Sequence, residues 1–302
     1  LPYASTTPGR MHACGHDGHT AILLGVARVL NTLPRPRPVT LVFQPAEEGG
    51  AGGERLCHEG LLKGEIIGPP IERIYGLHGW PDLPLGTIGT RPGPLLASTD
   101  EIQIVIHGVQ SHGAYPHYGR DPIVAAAHVV TALQSVASRS VGPLDSVVVS
   151  LGQINGGTAT NVIPERIEIA GTIRALRPET RDLARARVRD ICEGVAQAMG
   201  CRAEVTLHEG YPVTFNDPAS TERFLGLARE ALGEGRVVVT PHPTMGGEDF
   251  SYYAREVPGV FFFLGLRPES QARFPSLHQP DFDFNDDAIP TGIELMVRAA
   301  LN

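Results

Sequence analysis

Positive charge is scarce in this sequence, and lysine almost absent: Lys63 is the only one, and 25 Lys and Arg stand against 33 Asp and Glu. A formal charge of −8 argues against a nucleic-acid partner, which needs cations clustered on one face. Long apolar runs are missing too. The longest, Val257 to Leu266, is broken by Pro258 and Gly259 and falls short of the roughly 20 residues that cross a bilayer. No basic segment followed by an apolar core opens the chain, so neither a signal peptide nor a membrane partner is expected. The 4 cysteines (Cys14, Cys57, Cys192, Cys201) make no C-x-x-C pair and no dense disulfide pattern, which points to a reduced, cytoplasmic setting.

What is present is an ordinary globular composition, 42% hydrophobic and 19% charged, over 302 residues, a length that predicts two domains. The first part alternates helix and strand. Apolar spacing predicts a helix over 17–31 with Asp17 as its N-cap, a buried strand at Val39–Phe43 stopped by Pro45, a short helix at 53–62 and a strand at Ile71–Leu77. That order fits a mainly parallel α/β sheet. From residue 98 the order becomes strand 101–107, helix 121–138, strands 146–154 and 166–175, helix 178–199 and strand 202–208, a ferredoxin-like β-α-β-β-α-β succession. Alternation resumes with helix 218–233, strands 236–240 and 259–264, and helix 287–300. The expected organisation is one discontinuous domain, 1–97 with 212–302, carrying an inserted domain at 98–211.

The chemistry-bearing residues fall in short motifs. Met11-His12-Ala13-Cys14-Gly15-His16-Asp17-Gly18-His19 puts a thiol and imidazoles on a glycine-opened loop before the first helix. Thiolate and imidazole suit Zn²⁺ and similar ions, and Cys14 and His16, with Gly15 between, can point to one side of a turn. For His12 and His19 a supporting role, bonded to backbone or to the ligands, is the stronger reading. Gln44-Pro45-Ala46-Glu47-Glu48-Gly49-Gly50 follows a predicted strand; adjacent glutamates diverge, so one can bind metal while the other takes a proton from water. A solvated pair of surface acids is the plain alternative. His78 in Leu77-His78-Gly79-Trp80-Pro81 and His278 in Leu277-His278-Gln279-Pro280 each follow an apolar strand, where a single histidine is more often structural.

Taken together, the motifs MHACGHDGHT at 11–20, PAEEGG at 45–50, GLHGWP at 76–81, SHGAYPH at 111–117, GGEDF at 246–250 and LHQPDFDFND at 277–286 resemble the amidohydrolase branch of the peptidase M20 family, along essentially the whole chain. The resemblance implies a metallopeptidase-like catalytic domain with an inserted dimerisation, or lid, domain. It implies two divalent metal ions (Zn, Mn, Co or Ni) held by Cys14, His16, Glu48, His78 and His278, with Cys14 as the bridge. Glu47 matches the general base, and His112 a histidine lent to the partner subunit's site in a homodimer formed through 98–211. Asn161 and Arg174 match positions that hold a substrate carboxylate. The expected activity is hydrolysis of N-acyl amino acids, with an aminopeptidase or dipeptidase as the alternative within the class. Family members carry a further segment before the equivalent of Leu1, and Leu1-Pro2-Tyr3 reads as the middle of a loop. A catalytically silent metal-binding and dimerisation module is the reading that goes with a true start at Leu1.

Overall fold

The computed structural model describes residues 3–302, and the loop expected at Leu1-Pro2 lies outside them. In chain order, α1 (His16–Leu30) and α2 (Gly52–His58) precede strands β1 (Ile74–Pro84), β2 (Ile88–Thr90), β3 (Gly93–Leu96), β4 (Ser98–His107) and β5 (Ser111–His112). Next come α3 (Pro122–Leu133), β6 (Val147–Gly156), β7 (Val162–Ile163), β8 (Arg166–Ala175), α4 (Pro178–Ala198), β9 (Arg202–Glu209) and β10 (Thr214–Asn216). The chain closes with α5 (Pro218–Leu232), β11 (Val237–Val239), α6 (Phe250–Glu256), β12 (Gly259–Arg267) and α7 (Ile289–Leu301). It divides into two compact units.

The first unit comprises the residues up to Leu95, Phe215–His242 and Asp249–Asn302. Its sheet runs β1-β12-β2-β11, with β1 parallel to β12, β2 parallel to β11, and β12 antiparallel to β2. β12 is buried from Gly259 to Leu266, which is why it reads as a continuous apolar run rather than an alternating one. Ile22, Val26 and Leu30, one helical turn apart, seat α1 on the core formed with Phe262, Leu264 and Leu266. Asp17 in the first turn and Arg28 in the last match the helix dipole.

The second unit, Leu96–Thr214 with Pro243–Glu248, carries the antiparallel sheet β6-β8-β4-β9. Every second residue of β4 faces inward: Ile102, Ile104 and Ile106 join Ile167, Ile169 and Ile173 of β8. Val129 and Leu133 of α3 and Ala184, Val188 and Cys192 of α4 close the same core, completing the ferredoxin-like arrangement. At its edge Arg181 grips the fully buried Asp100 with Nε at 2.9 Å and Nη2 at 2.7 Å, and Nη2 also reaches the Gly210 carbonyl at 3.1 Å. A carboxylate so enclosed is tolerable only with such a two-pronged cation against it.

Several local expectations are corrected. Val39–Phe43 is not a strand: Val39 and Leu41 pack on the core, but the segment has no ladder partner among the described residues, and apolar character alone makes no sheet. The N-cap of α1 is Gly15 at φ 84°, not Asp17, which lies inside the first turn. The helix expected at 53–62 stops at His58, just ahead of Gly60, which turns left-handed at φ 87°. The helix expected at 121–138 is an α-helix over Pro122–Leu133 and goes on as a π-helix at Val136–Ser140, with the Ser135 and Ser138 hydroxyls bonding back to the carbonyls of Ala132 and Gln134 at the change. Segment 243–248, assigned from the sequence to the larger domain, joins the second unit.

Candidate metal centre

Four segments of the first unit meet where the motifs predict chemistry, among them the start of α1 and the middle of β1. The thiol of Cys14 and the ring of His78 are buried, whereas Glu48 and His278 are exposed at the rim. Cys14 Sγ lies 3.3 Å from His78 Nε2 and 3.2 Å from His278 Nε2. His278 Nε2 is in turn 3.2 Å from a Glu48 oxygen. Four trios of donor atoms result among the described residues, each with all atoms within 4.8 Å of one another: Cys14 with His16 and His78, Cys14 with Glu48 and His278, His16 with Glu47 and Glu48, and Glu47 with Glu248 and Asp249. Cys14 is common to the first two. A thiolate shared between two sets of imidazole and carboxylate donors is a donor set that fits a pair of borderline transition ions.

Backbone contacts explain the orientations. Gly79 is held at both of its backbone groups: its carbonyl accepts from His78 Nδ1 at 2.8 Å, and its N–H donates to His19 Nε2 at 2.9 Å. The first bond places the His78 proton on Nδ1 and leaves the Nε2 lone pair facing Cys14. Burial lowers the His78 pKa to about 4 and that of His19 well below its usual value, so both rings stay neutral. His16 is lowered as well, by burial first and by His12 and His278, against the pull of Glu48. The supporting role read for His19 in the sequence thus has a definite bond; His12 is exposed.

Glycines of two motifs serve a third. A Cβ on Gly15, Gly18 or Gly79 would come within 2.7, 2.5 or 2.8 Å of the Phe284 ring. Phe284, 7% exposed, is thus a wedge between the Cys14–His19 loop and β1, and the spacing of the glycines could have disclosed it. His278, at φ 62°, is held in left-handed backbone, and its N–H bonds the Ala13 carbonyl at 2.7 Å. A β-carbon-bearing residue pays of order 1–3 kcal/mol for that conformation, so the surrounding loop must over-determine it. Ala46 and Ala51, on either side of the glutamate pair, are also left-handed, at φ 59° and 48°.

Glu47 lies with Oε2 3.9 Å from His16 Nε2. Burial, then the facing charges of Asp249 and Glu48, push its carboxyl up to about 7, against the lowering effect of a hydrogen bond from the Asp249 backbone. A carboxyl poised near neutrality can both take and return a proton. Missed in the sequence is the cluster behind it, in which Gln44 bonds both Asp249 and Tyr253.

The other predicted residues lie in the second unit. His112 in β5 is exposed and pairs across to Val162 of β7, while Asn161 accepts the Gly113 N–H on its carbonyl at 2.7 Å. His112 Nδ1 accepts from Ala114 N–H at 3.0 Å, which leaves Nε2 outward. Arg174 spends one Nη1 bond, 2.9 Å, on the Met245 carbonyl. No helix among the described residues is long and apolar enough to cross a membrane.

A sequence profile described as peptidase family M20/M25/M40 matches residues 1–302. N-acetyl-L-cysteine deacetylase of Bacillus subtilis is 41% identical over 292 residues, 96% of this chain and 67% of that protein. N-acetyldiaminopimelate deacetylase of Ligilactobacillus salivarius is 43% identical over 268 residues, 88% of this chain and 68% of its own length. Among solved structures, the Bacillus subtilis YXEP protein, described as a dinuclear metal binding peptidase, superposes with a TM-score of 0.82 at 34% identity, covering 100% of this chain and 75% of that one.

Proposed function

Because the chain belongs to peptidase family M20/M25/M40 and is a metal amidohydrolase, we propose that it removes the acyl group of N-acyl amino acids, with Glu47 as the general base. The observation that carries this reading is the thiol of Cys14 shared by two donor trios with the Glu47 carboxylate beside them. Cys14, His16, Glu48, His78 and His278 would hold two divalent ions, Zn, Mn, Co or Ni. Bound there, such ions supply Lewis acidity toward the amide carbonyl and make a water easier to deprotonate.

The remaining work falls to side chains. Glu47 accepts the proton of the attacking water as the new C–O bond forms at the amide carbon. It returns that proton to the nitrogen as the C–N bond breaks, releasing a carboxylic acid and a free amino acid. Asn161 and Arg174 are proposed to hold the substrate carboxylate, Arg174 with the guanidinium donors not spent on Met245. Residues 98–211 are proposed to pair two subunits, with the outward Nε2 of His112 donating to the oxyanion in the partner's site.

Glu47→Gln tests the core of the reading. Metal content should stay at the wild-type level while kcat on a panel of N-acetyl, N-benzoyl and dipeptide substrates falls by roughly 10²–10⁴. Near-normal turnover would sink the assignment, and preference for the dipeptides would move the activity to the peptidase side.

A further inference from the structure

The motif Gly246-Gly247-Glu248-Asp249-Phe250 gives no donor to either Cys14 trio, yet it carries a wholly buried carboxylate, Asp249. Asp249 accepts from Gln44 Nε2, which lies 2.7 Å from both carboxylate oxygens, and Oδ2 accepts from Gly53 N–H at 2.9 Å. Tyr253 donates its hydroxyl to Gln44 Oε1 at 2.7 Å. The carboxylate settles which end of the amide faces which neighbour: Asp249 only accepts, so it takes the NH₂, and the amide oxygen is left to the phenol. Gly53 is required, because a Cβ there would lie 2.7 Å from the Asp249 carbonyl and 3.1 Å from Gln44 Oε1. Asp249 also faces Glu47, three residues after Gln44: an oxygen of each carboxylate lies within 4.8 Å of the other, and the Asp249 backbone N–H donates to the Glu47 carboxylate.

We infer that Asp249 is a positioning residue for Glu47. Clamped by Gln44 and Gly53, and through Gln44 by Tyr253, it aims its own peptide N–H at the Glu47 carboxylate and fixes the direction in which that group receives and returns the proton. The inference rests on Glu47 being the base. The geometry matters because a misplacement of about 1 Å at a reacting group can cost on the order of 10²-fold in rate.

The test reverses the polarity of the clamp in the metal-loaded protein. In Asp249→Asn two amides oppose each other, and in Gln44→Glu two carboxylates do. The double variant restores one carboxylate facing one amide, with the net charge unchanged and Tyr253 still donating. Each single variant should lose on the order of 10²-fold in kcat with KM and metal content unchanged, and the double variant should recover most of the loss. Tyr253→Phe, which removes one hydroxyl only, should show a smaller fall in kcat at constant KM. Wild-type kcat in Tyr253→Phe and in the single variants overturns the inference. So does a loss that the double variant fails to repair, or one that tracks metal content and melting temperature. Glu47→Gln in the same assay separates the two ideas: if it is inactive while these variants are normal, only the positioning role falls, and if it is active the base assignment itself falls.

Discussion

A single hydrogen in place of a side chain lets the Phe284 ring seat beside the metal centre. Gly18 owes its place to the Phe284 ring, 2.5 Å from where its Cβ would be, and the helix that contains it cannot shift without disturbing Ile22. Gly18→Ala should therefore cost about 1–3 kcal/mol, the usual penalty of overpacking, although alanine is the better helix former. Phe284→Leu alone opens space and is also destabilising. The double variant should be less destabilised than the two losses added, read by denaturant midpoints; strict additivity would show that the ring and the glycine do not meet. Single-residue logic of this kind was only half legible beforehand. The thiol, imidazole and carboxylate motifs stood out by their chemistry. The Gln44–Asp249–Tyr253 clamp did not, because residues 205 and 209 positions apart announce nothing by spacing.

Elements were legible wherever burial imposes a period. β4 alternates, α1 and α4 repeat every three or four residues, and β12 is apolar throughout, so each shows its environment in its sequence. Where the backbone rather than the side chain decides, the sequence was mute: Val39–Phe43 has the right residues and no ladder partner among those described. Helix starts obey local rules and can be tested as such. Asp217 caps α5 by accepting from Ser220 N–H at 2.8 Å. Its pKa is held below the ordinary 3.8, by the Ser220 side chain first and the Ser220 backbone second. A depressed carboxyl stabilises the fold fully above its unfolded value and loses that contribution as pH falls through the folded one. Asp217→Ala should thus lower stability by about 1 kcal/mol at neutral pH, with the two melting curves converging in acid. A gap that persists undiminished at low pH would assign the effect to packing instead.

At the scale of the molecule, the two units carry separate cores, one around β12 and one around β4 and β8, and the chain enters the second from the first and returns. The proposed sharing of His112 between subunits makes a whole-assembly prediction. Chains bearing His112→Ala and chains bearing Glu47→Gln, each nearly inactive alone, are mixed and allowed to exchange. One site of a mixed dimer would contain both groups intact, and activity should partly return. Exchange shown by mass-tagged chains without any recovery would make His112 local to its own unit or structural.

The wedge and the last donor both come late in the chain. Cys14, His16, Glu48 and His78 are synthesised first, and His278 and Phe284 follow some two hundred residues later. A nascent chain therefore holds Cys14 without its wedge and without the His278 nitrogen that finally sits 3.2 Å from its sulfur. Until residue 284 has left the ribosome this thiol stands open to oxidants and to stray soft metals. The order of residues along the chain, rather than the stability of the finished fold, thus sets how long that thiol goes uncovered during synthesis.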